Sequence, residues 1–101
     1  MSVEENSVIV GQKSTMNYVV ACVTLFNTGT NVIKVKARGR SISTAIETVE
    51  MLRKAFIKEL KTENIEIGSQ TFEKMGKTRT ISTIEITLTK PIIYEFTFDP
   101  S

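Results

Sequence analysis

The stretch 10–18 has residue types and a spacing that suit phosphate binding. An apolar run at 8–10 is typical of a strand, Gly11 and Lys13 follow it, and an apolar helical pattern begins three residues later. A turn before a helix attracts anions, because backbone N–H groups and the helix dipole face the ligand. A nucleotide-binding P-loop needs a glycine directly before its lysine. Gln12 stands there, so the pattern favours a phosphate that does not belong to a nucleotide.

Groups that commonly perform catalysis are scarce. The chain has no histidine, which removes the commonest general base and metal ligand. Cys22 lies within the most apolar helical pattern, where a thiol is usually packing. Glu66 and Glu85 could form an acid–base pair, but are better explained as charge partners of Lys34 and Lys36 across neighbouring strands. We therefore predict no catalytic residue, metal site or cofactor, and an enzyme is the least favoured class.

Positive charge is concentrated in short segments. The net charge is only +2, yet residues 11–90 contain all 13 basic side chains against seven acidic ones. Segment 31–40 has four basic and no acidic residues, and segment 74–79 has three and none. Localised positive charge suits a polyanion such as a nucleic acid. The alternative is a set of solvated surface charges.

Length and composition indicate one globular domain. The chain has 101 residues, of which 41% are hydrophobic and 24% charged. No run approaches the roughly 18–20 apolar residues of a membrane span. The acidic N-terminus lacks the apolar region of a secretory signal, and the single cysteine cannot form an internal disulfide. An intracellular protein without a membrane partner is expected.

Periodicity predicts the order β-α-β-α-β-β. Strict alternation marks Val32–Arg38 as a strand that ends at Gly39. The other predicted elements are a strand at 8–10, a helix at 16–26, a helix at 42–60 with a Thr44–Glu47 capping box, a strand around Ile65 and Ile67, a polar hairpin at 72–79 with Gly76 at its tip, and a strand at 80–89. The expected fold is α/β, a two-layer sandwich with two helices on one face of a four-stranded mixed sheet.

This order would bring cations together. If the first two strands are parallel, the Lys13 turn and the loop containing Arg38 and Arg40 lie at the same edge of the sheet. Two helix N-termini would meet there as well. Lys74, Lys77 and Arg79 would sit on a hairpin that reaches outward.

Four segments resemble the Alba family of archaeal chromatin proteins. They are GQKSTMNYV, LFNTG, KARGRSIS and STIEI, and the similarity runs over 8–90. It implies a fold similar to the C-terminal domain of the third bacterial translation initiation factor. It also implies a homodimer that binds double-stranded DNA without strong sequence preference, and often RNA. Relatives include subunits of ribonuclease P and MRP. A chromosome-associated (nucleoid) protein of the cytoplasm is therefore expected.

The resemblance assigns roles to single residues. Lys13 matches the second lysine of the family's GKK turn, and Arg38 and Arg40 match the arginines of its KARGR loop. Gln12 replaces the first lysine, whose acetylation is associated with weaker DNA binding in the family. Because glutamine resembles acetyl-lysine, we hypothesise a state of lower affinity that acetylation cannot change.

Further residues are expected at the interface. Lys74, Lys77 and Arg79 match the family hairpin in general character, and Asn17 and Lys36 complete the predicted nucleic-acid-binding set. Phe56 matches a contact between neighbouring dimers, although its place in the apolar stripe also suits the core.

The segments outside the domain are predicted to differ from it. Residues 1–7 are expected to be flexible. The apolar tail 91–101 is expected to be an extra edge strand or a partner-binding segment, whose deletion would alter oligomerisation. Two alternative functions remain open: an RNA-binding or ribonuclease P-type subunit, and a scaffold that uses the tail. A heterodimer with a paralogue is a further possibility.

Overall fold

A four-stranded mixed sheet carries two helices on one face. The computed structural model describes residues 6–91, and the interpretations of the N-terminal segment and of the tail therefore fall largely outside the described residues. The elements are β1 (Ser7–Val10), α1 (Thr15–Asn27), β2 (Val32–Arg38), α2 (Ser41–Met51), a π-helical segment (Leu52–Phe56), β3 (Lys61–Lys74) and β4 (Lys77–Thr89). The predicted order and fold class are confirmed.

The strands lie in the order β1-β2-β4-β3. β1 pairs in parallel with β2, as expected for strands joined by a crossover helix. β4 pairs antiparallel with both β2 and β3. The helices pack over β1 and β2. β3 therefore lies beyond the edge of the helical layer.

Alternation along β2 separates the core from an open face. Ile33, Val35 and Ala37 are buried beneath the helices. Lys34, Lys36 and Arg38 point to the opposite side, which we call the open face. The core is completed by buried residues of β4 and of both helices, among them Ile84, Ile86, Leu88, Val19, Phe26 and Val49.

Helix α1 contains the single cysteine on its core side. Cys22 is fully buried, and burial raises the pKa of its thiol to about 12. A protonated, inaccessible thiol is unreactive, which agrees with its interpretation as packing. The helix ends before Gly29, whose φ of +99° favours glycine.

The second helix is shorter than the predicted 42–60. Regular α-helix ends at Met51, and the π-helical segment continues only to Phe56. The N–H of Ile57 donates to the carbonyl of Leu52, five residues earlier, at 2.8 Å, and Ile57 is extended. Leu60 is nevertheless buried. Leu60 is apolar because it is buried after the chain has left the helix. Its apolar side chain fitted the helical pattern, which is why the predicted helix was too long.

The predicted capping box is also wrong. α2 begins at Ser41, so Thr44 lies inside the helix, where its carbonyl accepts a hydrogen bond from Thr48 Oγ1 at 2.8 Å. Glu47 instead accepts from Thr15 Oγ1 at 3.1 Å. This contact joins the two helices and does not cap either one.

Beyond the end of β2, β3 and β4 continue as a two-stranded arm, residues 69–82. Six residue pairs extend past the β2 ladder, about 20 Å at ~3.4 Å per residue. The predicted hairpin at 72–79 is confirmed as the outer part of this arm, where Phe72 pairs with Arg79, but the paired strands of the arm begin earlier, at Ser69 and Ser82. Only Met75 and Gly76 form the turn, with φ of +53° and +77°. Positive φ at both positions is typical of a type I′ turn, and Gly76 lies at the tip as predicted.

A β-bulge interrupts β3 near its start. Thr62 lies opposite Leu88 and Asn64 lies opposite Thr87, so Glu63 is an extra residue in the strand. After the bulge, Ile65 and Ile67 lie opposite Ile86 and Ile84 on the helix side of the sheet. They are 56% and 81% exposed, because the helices do not extend over β3.

Candidate nucleic-acid interface

The two basic turns meet at one edge of the sheet. Parallel β1 and β2 both end there, and the Ser41 hydroxyl donates a hydrogen bond to the Gly11 carbonyl at 3.0 Å. Ser41 directly follows Arg40, and Gly11 lies two residues before Lys13. The predicted convergence of these turns is therefore confirmed.

The backbone of the Lys13 turn is hydrogen-bonded to a buried side chain. The Tyr18 hydroxyl accepts hydrogen bonds from the N–H groups of Gly11, at 2.8 Å, and Lys13, at 2.9 Å. Gln12 and Lys13 are exposed. These two N–H groups point inward, so the turn does not offer them to a ligand. Its exposed donors include the side chains of Gln12 and Lys13.

Asn17 lies in the first turn of α1. Its side-chain amide donates to Ser14 Oγ at 3.3 Å, and it is exposed. Ser14 has the extended conformation of an N-cap residue, without a side-chain cap bond. Asn17 therefore lies close to the Lys13 turn.

Gly39 determines how the two arginines are presented. Its φ of +55° is unfavourable for other residues, and its N–H donates to the Ser82 carbonyl at 2.8 Å. An added Cβ would lie 3.4 Å from Ile81 Cγ2. The backbone therefore turns sharply against β4, and Arg38 and Arg40 on either side are both exposed.

A broad, shallow groove of about 910 Å³ lies beside these turns on the open face. The end beside the turns is lined by Gln12, Arg38 and Arg40. The remaining lining includes Lys36, Gln70 of the arm, and the acidic Glu66 and Glu85. Lys13 is not among the lining residues. The groove has no deep pocket that would enclose a small molecule, and its cationic end suits an extended anion.

The strand register places the arm cations on the open face. Arg79 and Lys77 share a face with Glu85 because side chains alternate along β4, and Glu85 lies opposite Lys36. Lys74 lies directly opposite Lys77 and so shares that face. The Lys74–Lys77 pair would repel unless an anion were bound.

Arg38 connects the central loop to the arm. Its guanidinium donates a hydrogen bond to Gln70 Oε1 at 3.0 Å. Gln70 lies one alternation from Phe72 on the same face, and Phe72 lies opposite Arg79. The cationic surface is therefore continuous from the turns to the arm.

Lys34 and Lys36 have an acidic neighbour. Glu85 contacts Lys34 Nζ at 3.1 Å and Lys36 Nζ at 3.9 Å. This confirms the prediction that Glu85 neutralises part of their charge. Lys36 lies on the correct face, but it is less available to a phosphate than the arginines of the loop.

Phe56 lies away from this surface. It is 51% exposed, so the interpretation of Phe56 as a core residue is wrong. A second groove of about 480 Å³ adjoins it, with Val23 and Ile57 in its lining. The end of the π-helical segment is about 24 Å along the helix from Arg40, at ~1.5 Å per residue. Phe56 is therefore placed for a separate contact.

The described part of the chain shows neither a metal-binding cluster nor a membrane-spanning helix. Within residues 6–91 no group of three or more His, Cys, Asp or Glu side chains is arranged to hold a metal ion. No helix in the same range is both long and apolar enough to cross a membrane.

Three residues at this surface were not predicted: Tyr18, Ser41 and Gln70. Tyr18 lies in an apolar helical pattern, which concealed the role of its hydroxyl. Ser41 could have been suspected because serine is common at the first positions of a helix. Gln70 lies in a polar stretch without periodicity, so no sequence signal distinguishes it from its neighbours.

Comparison with known proteins identifies similar chains. The Alba family model matches residues 6–69. "DNA/RNA-binding protein Alba" of Thermoplasma acidophilum is 45% identical over 87 residues, which are 86% of this chain and 98% of the relative. "DNA/RNA-binding protein Alba 1" of Archaeoglobus fulgidus is 43% identical over 86 residues, which are 85% and 97%.

Solved structures agree with these relatives. Alba from Thermoplasma volcanium superimposes with a TM-score of 0.79 at 44% identity and covers 83% of this chain and 99% of its own. ALBA1 from Trypanosoma brucei gives a TM-score of 0.72 at 28% identity, over 88% of this chain and 72% of its own. Both the sequence and the fold therefore resemble the same group of proteins.

Proposed function

This chain belongs to the Alba family, and we propose that it binds double-stranded DNA, and also RNA, through the phosphate backbone as a homodimer. The observation that carries the proposal is the convergence of the Lys13 turn with the loop containing Arg38 and Arg40, on a face that continues onto the arm. The printed names of the relatives, DNA/RNA-binding proteins, support the same conclusion.

Binding is driven by counterion release. Each lysine or arginine that contacts a phosphate frees condensed cations, so affinity falls as salt rises. Each protomer presents six candidate cations: Lys13, Arg38, Arg40, Lys74, Lys77 and Arg79. If about half of a dimer's cations engage, log K falls against log salt with a slope of about −5.

The proposed recognition does not read base sequence. Both helices pack on the far side of the sheet from the open face and meet this surface only at their N-terminal ends. The groove end offers arginine forks, which match phosphate oxygens in two parallel hydrogen bonds. Phosphate contacts fix the position of a protein on a duplex but carry no sequence information.

Exposed apolar side chains support a dimer. Ile65 and Ile67 lie outside the helical layer, and Ile46 of α2 is also exposed. Large apolar side chains that remain exposed in this way are typical of a protein interface. Two protomers would present two loop sets and two arms to one duplex. With Phe56 available for contacts between dimers, such units would coat and compact chromosomal DNA in the cytoplasm.

The test is binding of a labelled duplex of about 20 base pairs, measured by fluorescence anisotropy over a series of salt concentrations. Arg38→Ala combined with Arg40→Ala should weaken binding strongly and make the slope shallower by about 2 to 4, because a dimer loses up to four contacts. The matched control is Arg53→Ala with Lys54→Ala. It removes the same charge from side chains paired with Glu50 outside the proposed surface and should change little. Equal effects of the two double variants would contradict the proposal.

An RNA-binding role is the second candidate, and Phe72 favours it. Phe72 is 39% exposed and lies opposite Arg79 on the cationic face of the arm. Single-stranded RNA is often recognised by stacking on aromatic side chains. Firm binding to a single-stranded RNA that weakens on Phe72→Ala, without duplex binding by the same protein, would make RNA the principal ligand.

A further inference from the structure

The buried side chain of Tyr18 reaches back from α1 to the turn before it. Tyr18 is only 8% exposed. Its hydroxyl accepts from two N–H groups, those of Gly11 and Lys13, at 2.8 and 2.9 Å. Two donors two residues apart that share one acceptor fix the peptide units between them. The backbone that presents Gln12 and Lys13 is therefore fixed by hydrogen bonds on its buried side.

Gly11 is bonded on its other side to the second basic loop. Its carbonyl accepts from Ser41 Oγ at 3.0 Å. Ser41 is the first residue of α2 and adjoins Arg40. A single glycine thus receives one hydrogen bond at its carbonyl and donates another from its N–H. These two bonds join α1, the Lys13 turn and the arginine loop.

We propose that Tyr18 and Ser41 are positioning residues, which through Gly11 set the spacing between Lys13 and the Arg38–Arg40 loop so that the three cations meet successive phosphates together. This role rests on the function proposed above. Neither side chain carries charge, so each contributes to binding by fixing the conformation of the basic loops. A loop already fixed in its binding conformation loses less freedom when the ligand binds.

The same contacts define what the turn recognises. The N–H groups of Gly11 and Lys13 are directed at Tyr18, whereas a nucleotide-binding loop directs such groups at a phosphate. The turn therefore meets its ligand with cationic side chains. This arrangement suits repeated backbone phosphates and does not enclose a single terminal one.

The test compares Tyr18→Phe and Ser41→Ala with the unaltered protein in the duplex-binding assay. We expect about five- to tenfold weaker binding for Tyr18→Phe. We also expect a shallower salt slope, by about 0.9 for each phosphate contact that is lost. Ser41→Ala should give a smaller change in the same direction. A variant that only lowers the folded fraction would weaken binding equally at every salt concentration and leave the slope unchanged.

A double-mutant cycle shows whether Tyr18 acts through Lys13. In a Lys13→Gln background, Tyr18→Phe should have little further effect on affinity. Amide hydrogen exchange at Gly11 and Lys13, measured without nucleic acid, should accelerate in Tyr18→Phe. The control is Thr28→Ala, which removes a hydroxyl bond to the Leu25 carbonyl at the opposite end of α1. It should leave affinity, slope and both exchange rates unchanged.

Several outcomes would overturn the inference. One is a Tyr18→Phe protein with an unchanged slope, and another is an effect of full size in the Lys13→Gln background. If Tyr18→Phe does not fold, an unchanged slope in Ser41→Ala would have the same meaning. These results differ from failure of the proposed function itself, in which the unaltered protein would bind neither duplex nor RNA.

Discussion

The Arg38 guanidinium and the Gln70 side-chain oxygen are joined by a hydrogen bond of 3.0 Å, which links the loop after β2 to the base of the arm. It is a contact between residues 32 positions apart in sequence. A guanidinium has five N–H donors, so this bond leaves others for a phosphate. The loop and the arm are therefore in contact before any ligand arrives.

Two substitutions at Gln70 distinguish the effect of the Arg38 charge from the effect of the hydrogen bond that positions Arg38. Gln70→Glu should form an ion pair with Arg38, weaken duplex binding about tenfold and reduce the salt slope by about 0.9 per protomer. Gln70→Leu removes the hydrogen bond but leaves Arg38 charged, and its loop stays fixed by the Gly39–Ser82 and Ser41–Gly11 bonds. The phosphate contact should therefore be kept, and binding should weaken only about two- to threefold with the slope unchanged. Salt titrations of both variants check this. Identical slopes in the two variants would argue against an Arg38–phosphate contact.

A lysine at position 12 should increase affinity. Gln12 is exposed and lines the same groove end as Arg38 and Arg40. Gln12→Lys adds one cation per protomer there. We expect about three- to tenfold tighter duplex binding at low salt and a slope steeper by about 0.9 per protomer.

The control for this variant is Asn27→Lys, which adds the same charge at the exposed C-terminal end of α1. It should change affinity far less. Unchanged affinity of Gln12→Lys would remove the hypothesis that glutamine at this position lowers binding.

Ile67 tests the proposed dimer. It is 81% exposed on the helix side of β3, and Ile67→Glu would place a charge within the apolar surface that supports association. Sedimentation should then report half the mass of the unaltered protein. Met75→Glu is the control, because Met75 is 91% exposed at the tip of the arm. If both variants retain the unaltered mass, the interface lies elsewhere.

Cys22 predicts a pH dependence of stability. Its pKa is raised from 9.0 to about 12 by burial. Below pH 9 the thiol is protonated in both the folded and the unfolded state. Above pH 9 the unfolded state loses the proton first, so the free energy of unfolding falls as pH rises towards 12, by up to about 1.4 kcal/mol per pH unit.

Other groups titrate in this range, so the measurement is a comparison. Denaturant unfolding of the unaltered protein and of Cys22→Ala should be followed from pH 8 to about 10.5. The difference between their free energies of unfolding should narrow above pH 9. A constant difference would show that the thiol does not contribute to the dependence.

The sequence predicted best the elements that have one apolar and one polar face. The β2 bounds were predicted to the residue, because Ile33, Val35 and Ala37 alternate with three cations and Gly39 ends the run. The Lys13 turn and the arginine loop were located for a similar reason, since parallel β1 and β2 bring both to one edge. These features depend on local residue types and on a simple rule of topology.

The arm could not be outlined in this way. All residues of β3 are exposed, so no alternation of buried and exposed side chains marks its length. Only the outer part of the arm, 72–79, was therefore predicted as a hairpin. The Tyr18 and Gln70 contacts depend on which atoms approach one another in the folded chain, and residue types alone do not specify that. The prediction of the second helix was too long for a related reason. Leu60 is buried outside the helix, and its apolar side chain alone does not reveal that.

The bulge at Glu63, and the unbroken pairing of the arm, have a consequence for how this fold can evolve. The bulge absorbs one extra residue, so Ile65 and Ile67 keep the sides that their β4 partners set. The arm has no bulge, and one residue pair added or removed there would move every residue beyond it to the opposite side, including Lys74, Lys77 and Arg79. Viable changes in arm length should therefore come in steps of two residues per strand, about 7 Å each. Among natural variants of this fold, the arms should fall into discrete length classes that keep the cations on one side.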